Sequence, residues 1–184
     1  MAKYQDVIIA GFGGQGALAI GKNLAEAGMA EGLNVTWAPS YGPEMRGGTA
    51  NCSVVISDEE IPFAMVSQPG CCIVMNNASL AKFQAAIQPG GTLILDSSMV
   101  DAPVERTDLR VVRVPADVIA EEEGNSRGAN MVLLGAYVAA CGGISMDAVC
   151  QNIDHSFTGS KAKYAESNKR LARRGYDLVA SQGN

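Results

Sequence analysis

Val7-Ile8-Ile9-Ala10-Gly11-Phe12-Gly13-Gly14-Gln15-Gly16-Ala17 decides how this chain is read. The unbroken apolar run Val7 to Ala10 describes a strand buried on both faces, the habit of parallel sheets. A Gly-x-Gly-x-x-Gly turn follows, which lets backbone N–H groups approach an anion at the start of a helix. Ala17 to about Glu31 reads as that helix. At 3.6 residues per turn Ala17, Ile20, Gly21, Leu24 and Gly28 share one face, and Lys22, Asn23 and Glu26 lie on the other.

The same alternation continues along the chain. Asn34 to Ala38 reads as a strand ending at Pro39, and Thr49 to Ser57 as a third, closed by the charged turn Asp58-Glu59-Glu60. Cys71 to Met75, Thr92 to Asp96 and Arg110 to Val114 are further strands, with a helix near Ser79 to Ile87 between the first two. From Pro115 the pattern is mainly helical: Ala116 to Glu123, Ala129 to Ala140, Met146 to Ile153 and Lys161 to Ala180. The expectation is an α/β fold: a three-layer, Rossmann-like open sheet, mostly parallel, with a helical C-terminal part. Residues 1–184 carry no repeat or linker and are expected to form a single domain.

With 47% apolar and 18% charged residues the composition is that of a globular chain, and its net charge of −5 argues against nucleic acid as the partner. No apolar stretch reaches the ~20 residues of a membrane span. Met1 to Asp6 does not read as a signal peptide, so a cytoplasmic location is expected. The five cysteines include no Cys-x-x-Cys pair, and Cys71-Cys72 would point to opposite faces of a strand, so all five read as reduced thiols.

Three readings compete for the glycine turn. A dinucleotide site needs an acid near the end of the second strand to hold the ribose, but Ala38-Pro39-Ser40-Tyr41 stands there, and Glu31 falls before that strand begins. A P-loop is nearly spelled by Gly16 to Asn23, yet Asn23 replaces the metal-binding hydroxyl and Lys22 would sit inside the helix. The third reading is a close turn with exposed backbone N–H groups awaiting a partner. A second loop, Ser40-Tyr41-Gly42-Pro43-Glu44-Met45-Arg46-Gly47-Gly48, is too specified for a mere connection. Arg46 there offers a planar fork to a phosphate or carboxylate, against the bland alternative of a surface pair with Glu44.

Both loops, with Val54 to Asp58, Asn125-Ser126-Arg127-Gly128-Ala129-Asn130-Met131 and Leu134-Gly135, resemble the γ component of 2-oxoacid:ferredoxin oxidoreductases. The resemblance runs from the first strand to about Ala140. It implies a subunit, inactive alone, of an enzyme that oxidatively decarboxylates a 2-oxoacid to an acyl-CoA and CO2 and reduces ferredoxin. Overall look leans toward 2-oxoglutarate as the substrate. Thiamine diphosphate, Mg, 4Fe–4S clusters and CoA are then expected in the α, β and ferredoxin-like partner subunits or at interfaces, and no cofactor is assigned to this chain alone. No catalytic residue and no metal ligand are expected here. Gly13, Gly14, Gln15, Gly16, Ser40, Tyr41 and Arg46 are the candidate contacts to CoA or to a partner subunit, with both loops at the C-terminal edge of the sheet. An independent Rossmann-type nucleotide-dependent oxidoreductase and a non-catalytic interaction module are the alternatives.

Elsewhere the sequence offers weaker candidates. Asn125, Arg127 and Asn130 form a polar group before an apolar helix, readable as a contact cluster or as a helix cap. Asp96-Ser97-Ser98 is equally a site loop or a cap. The lone His155 reads as a helix-end residue. Between Lys161 and Arg174 stand six of the fourteen basic residues and one acid, a solvated helix face or a docking surface for an acidic partner.

Overall fold

The structure, a computed structural model, describes residues 3–41 and 49–182. Six strands form one sheet in the order β2-β3-β1-β4-β5-β6. They are β1 Tyr4–Phe12, β2 Asn34–Tyr41, β3 Thr49–Ser57, β4 Cys71–Val74, β5 Thr92–Asp96 and β6 Arg110–Val114. Strands β1, β4, β5 and β6 pair in parallel, and β3 runs antiparallel between β1 and β2. The expected mostly parallel α/β sheet is thus observed, with β3 the one strand turned against the rest. That reversal makes β2 and β3 a hairpin rather than a crossover pair.

Two strands are longer than the sequence suggests. β1 continues through Gly11 to Phe12 because the antiparallel ladder with β3 carries on to Phe12 opposite Thr49. β2 passes through Pro39 to Tyr41, which an edge strand allows because one row of its N–H groups faces no neighbour.

Alternation along β1 and β4 divides the interior. Val7, Ile9, Cys71 and Ile73 enter a large core, whereas Ile8, Cys72 and Val74 enter a smaller one with Leu80, Ile87, Leu93 and Leu95. The large core is covered by α1 (Ala17–Ala30), α4 (Ala129–Cys141), α5 (Met146–Ser156) and α6 (Ala165–Gln182), with α3 (Ala116–Glu122) at its side. Over the smaller core lie α2 (Asn77–Phe83) and the 3-10 turn Gln84–Ala86, where the sequence suggested one helix to Ile87. Likewise the expected C-terminal helix from Lys161 is a 3-10 turn, Gly159–Tyr164, before α6 begins.

Helix α4 is buried on every side from Ala129 to Val138 because the sheet lies beneath it and α6 above. Gly135 and Gly175 permit that stacking: a Cβ on Gly135 would strike the Ala172 carbonyl, and one on Gly175 the Val132 carbonyl. On α1, Asn23 departs from the amphipathic expectation. It is buried, because α5 covers that side; its carboxamide donates to Ala19 O and accepts from Asn152 Nδ2 at 2.9 Å.

All five cysteines are free thiols. Burial pushes Cys52 up to about 11 and Cys72 up to about 12, and raises Cys71 as well. Cys141 is partly exposed, and its thiol is lowered by a hydrogen bond with Cys71 and then by the Arg110 charge. Half of the basic run is paired within the chain: Arg170 and Arg174 with Glu122 and Glu123, and Lys169 with Asp154 and Glu166. Such pairs satisfy charge rather than add much stability. No helix among the described residues is long and apolar enough to cross a membrane.

Candidate functional site at the carboxyl edge of the sheet

Strand order and connections place a switch point between β1 and β4. The chain leaves β1 toward β2 and leaves β4 toward β5, so their carboxyl ends diverge and open a crevice of the kind in which open α/β sheets bind ligands. The glycine turn lies at that crevice. Gly13 and Gly14 are exposed, and Gly14 and Gly16 have φ of 100° and 88°, left-handed values that glycine adopts without strain. Gly16 caps α1 with backbone alone.

Gln15 spans the crevice. Its Oε1 accepts from Phe12 N at 2.7 Å and from Asn76 Nδ2 at 2.9 Å, and its Nε2 donates to Met75 O at 2.9 Å. Asn76 in turn accepts from Ser79 N and caps α2. One side chain therefore ties the β1 turn to the end of β4 and, through Asn76, to the helix beyond. The sequence reading did not single out Asn76; a polar residue between a buried strand and a helix start was the available signal.

A second helix start meets the first. Asn130, in the first turn of α4, lies so close to Gly16 that a Cβ there would be 2.7 Å from Asn130 Nδ2. Asn130 is 8% exposed, and among the described residues its side chain has no hydrogen-bond partner. Helix α4, like α1, has no side-chain cap and no acid in its first turn. Two N-terminal dipole ends thus converge beside exposed glycines, an arrangement that favours negative charge.

Asn125, Arg127 and Asn130 do not form one cluster. Asn125 donates to Ser167 Oγ and Asn168 Oδ1 on α6, Arg127 is exposed, and Asn130 faces the glycine turn. Ser40 is exposed in β2 opposite Asn51, and Tyr41 lies opposite Ala50. Both therefore reach the same carboxyl edge as the glycine turn, two strand spacings or ~10 Å from β1. Arg46 and the rest of that loop, residues 42–48, lie outside the described residues.

Neither nucleotide motif finds its geometry. Lys22 is within α1 and pairs with Glu26 at 3.5 Å. Glu31 caps the far end of α1, about 20 Å from the glycine turn at 1.5 Å per residue, and accepts from Ser145 N. Asp96 is 1% exposed and accepts from Ser98 N and Ala116 N at 3.0 and 3.1 Å, which ties the turn after β5 to the first residue of α3; no helix follows Asp96 for it to cap. Burial raises its carboxyl above the ordinary range. His155 is exposed in the last turn of α5, as expected. Among the described residues no three His, Cys, Asp or Glu side chains are grouped to hold a metal ion.

Residues 6–178 match the pyruvate ferredoxin/flavodoxin oxidoreductase family, and the chain belongs to that family. Its relatives include the ketoisovalerate oxidoreductase subunit VorA of Methanothermobacter marburgensis, 38% identical over 93% of this chain. The chain spans 36% of that relative's length. The 2-oxoglutarate synthase subunit KorC of the same organism is 39% identical over 83% of this chain and 86% of its own. Among solved structures, the keto/oxoacid ferredoxin oxidoreductase γ subunit of Geobacter sulfurreducens superposes with a TM-score of 0.82 at 26% identity. That superposition covers 96% of this chain and 99% of the other. The resemblance to γ components read from the loops is borne out.

Proposed function

We propose that this chain is the γ-type component of a 2-oxoacid:ferredoxin oxidoreductase that converts a 2-oxoacid and CoA to acyl-CoA and CO2 while reducing ferredoxin. The observation that carries the proposal is the match to a γ subunit over 96% of one chain and 99% of the other. Residues 1–184 act as one domain, in the cytoplasm, beside α, β and ferredoxin-like subunits. Those partners hold the thiamine diphosphate, Mg and 4Fe–4S clusters. Among relatives, a 2-oxoglutarate synthase subunit of nearly this length supports 2-oxoglutarate as the substrate.

This chain's part is to assemble with those subunits and to hold CoA phosphates at the carboxyl edge. The donors present fit such an anion: the exposed Gly13 and Gly14 backbone, the uncapped starts of α1 and α4, and the Asn130 carboxamide. Arg46, Ser40 and Tyr41 are the contacts contributed by the second loop. Bound CoA supplies the thiol that accepts the acyl group. Gln15 serves differently, by fixing the turn against β4.

The reconstituted complex provides the test. Asn130→Asp places a carboxylate where the anion would lie, and Arg46→Ala removes a cation. Each should raise KM for CoA about ten-fold, the value of one charge-assisted hydrogen bond, with KM for the 2-oxoacid unchanged. Unchanged KM for CoA and unchanged assembly in both variants would overturn the anion site. A kcat/KM for ketoisovalerate above that for 2-oxoglutarate would overturn the substrate assignment.

A further inference from the structure

The opposite edge of the sheet carries a second concavity that CoA binding does not use. Residues 58–70 leave β3, cross the start of β1 and enter β4, enclosing a cavity of about 260 Å³. Tyr4, Ile61, Phe63, Met65 and Val66 line it, together with Asp6. Phe63 and Met65 are 78% and 89% exposed and Tyr4 is 57% exposed, so large apolar groups stand in water around the opening. Apolar side chains grouped this way mark an interaction site more often than a free surface.

Asp6 gives the cavity its chemistry. It is 9% exposed, and one carboxylate oxygen accepts from Gly70 N at 2.6 Å. Among the described residues no Lys, Arg or His forms an ion pair with it. The Tyr4 phenol is raised by burial and then by the nearby Asp6 charge. Exposed Asp58, Glu59 and Glu60 begin the segment that forms the wall. A largely buried carboxylate with no ion-pair partner among the described residues, in a cavity also lined by Tyr4 and Phe63, suits a cation.

We propose that this cavity receives a lysine or arginine side chain, flanked by apolar residues, from a different subunit of the complex. The reading rests on the chain's working within such a complex. The surroundings disfavour a symmetric second copy as the occupant, because an isologous contact would bring the Asp6 and Asp58 to Glu60 acids of both copies together. Apolar cover for Phe63 and Met65 supplies the buried centre of the contact, and the acids select a basic partner at its rim.

Two measurements test the cavity. The peptide acetyl-Leu-Arg-Leu-amide is titrated into the full chain, with the Tyr4 and Phe63 ring resonances followed by NMR; its citrulline counterpart serves as the neutral control. The arginine peptide should bind at least ten-fold more tightly than the citrulline one. Asp6→Asn, which retains an acceptor for Gly70 N, should abolish the difference. Equal binding of the two peptides, or no saturable shift, overturns the proposal. In the reconstituted complex, Asp6→Asn and Phe63→Ala should each weaken assembly at least ten-fold, and a photo-crosslinker at Phe63 should capture a Lys- or Arg-containing segment of another subunit. Assembly unchanged in both variants, or capture of a second copy of this chain, overturns the docking role and leaves the proposed function standing. A wild-type chain that binds the arginine peptide but joins no such complex overturns the proposed function and leaves the cavity's chemistry standing.

Discussion

Replacing Gln15 separates a structural clasp from a ligand contact. Gln15→Ala removes three hydrogen bonds: those with Phe12 N, Asn76 Nδ2 and Met75 O. Phe12 is exposed, so water reaches its N–H and that bond counts for about 0.5–1 kcal/mol. Met75 is 1% exposed, so its orphaned carbonyl costs about 1–3 kcal/mol. Asn76 is 3% exposed, so losing its acceptor costs about 1 kcal/mol more. Freed side-chain entropy returns about 1 kcal/mol, leaving a net loss of about 1.5–4 kcal/mol. Gln15→Glu keeps the acceptor but turns the atom beside Met75 O from donor to acceptor. Its deficit should therefore resemble that of Gln15→Ala at pH 8 and shrink at pH 5, where protonation restores a donor. Urea unfolding followed by circular dichroism at both pH values reads the effect. A Gln15→Ala variant within 0.5 kcal/mol of wild type, combined with a raised KM for CoA, would refute the clasp and make Gln15 a ligand contact.

Asp96→Asn retains the acceptor for Ser98 N and Ala116 N while removing a buried charge. Because burial raises the folded carboxyl above its unfolded value, the folded state holds the proton more tightly. The stability Asp96 contributes is present below the ordinary carboxyl range and is lost as pH rises through the raised value. Asp96→Asn should thus equal or exceed wild type at pH 7 in thermal unfolding, with the gap closing toward pH 4, whereas Asp96→Ala should lose about 1–3 kcal/mol. Ser79 Oγ is buried with no partner among the described residues, so Ser79→Ala should be neutral or stabilising by about 1 kcal/mol, checked by the same unfolding. Cys141, partly exposed and lowered by Cys71, should be the one thiol that reacts rapidly with a disulfide reagent in the native chain. The buried Cys52, Cys71, Cys72 and Cys150 should follow only on unfolding.

Much of the fold was legible because its elements obey strong local rules. β5 and β6 fall where their unbroken apolar or alternating runs place them, and α1 begins directly after Gly16. The direction of β3 was not legible, since alternation marks a strand without its orientation, and only the ladder with β1 fixes that. Asn23 looked solvent-facing because helical periodicity cannot see a second helix, α5, arriving over that side. The carboxyl-edge position of the glycine turn followed from the α/β pattern. The meeting of Gly16 with Asn130 required the tertiary path of α4, 114 residues further on. For Gln15 the sequence supplied position, but its hydrogen bonds to Phe12, Met75 and Asn76 needed the end of β4 to be seen beside the turn.

The central claim is that this chain completes a 2-oxoacid:ferredoxin oxidoreductase. Its most direct measurement is ferredoxin reduction by the α, β and ferredoxin-like subunits with CoA and 2-oxoglutarate, with and without this chain. The account predicts that turnover is at least ten-fold higher with the chain present and that wild-type protein co-elutes with the complex in stoichiometric amount. Full turnover without the chain, or a chain that never joins the complex, would contradict it.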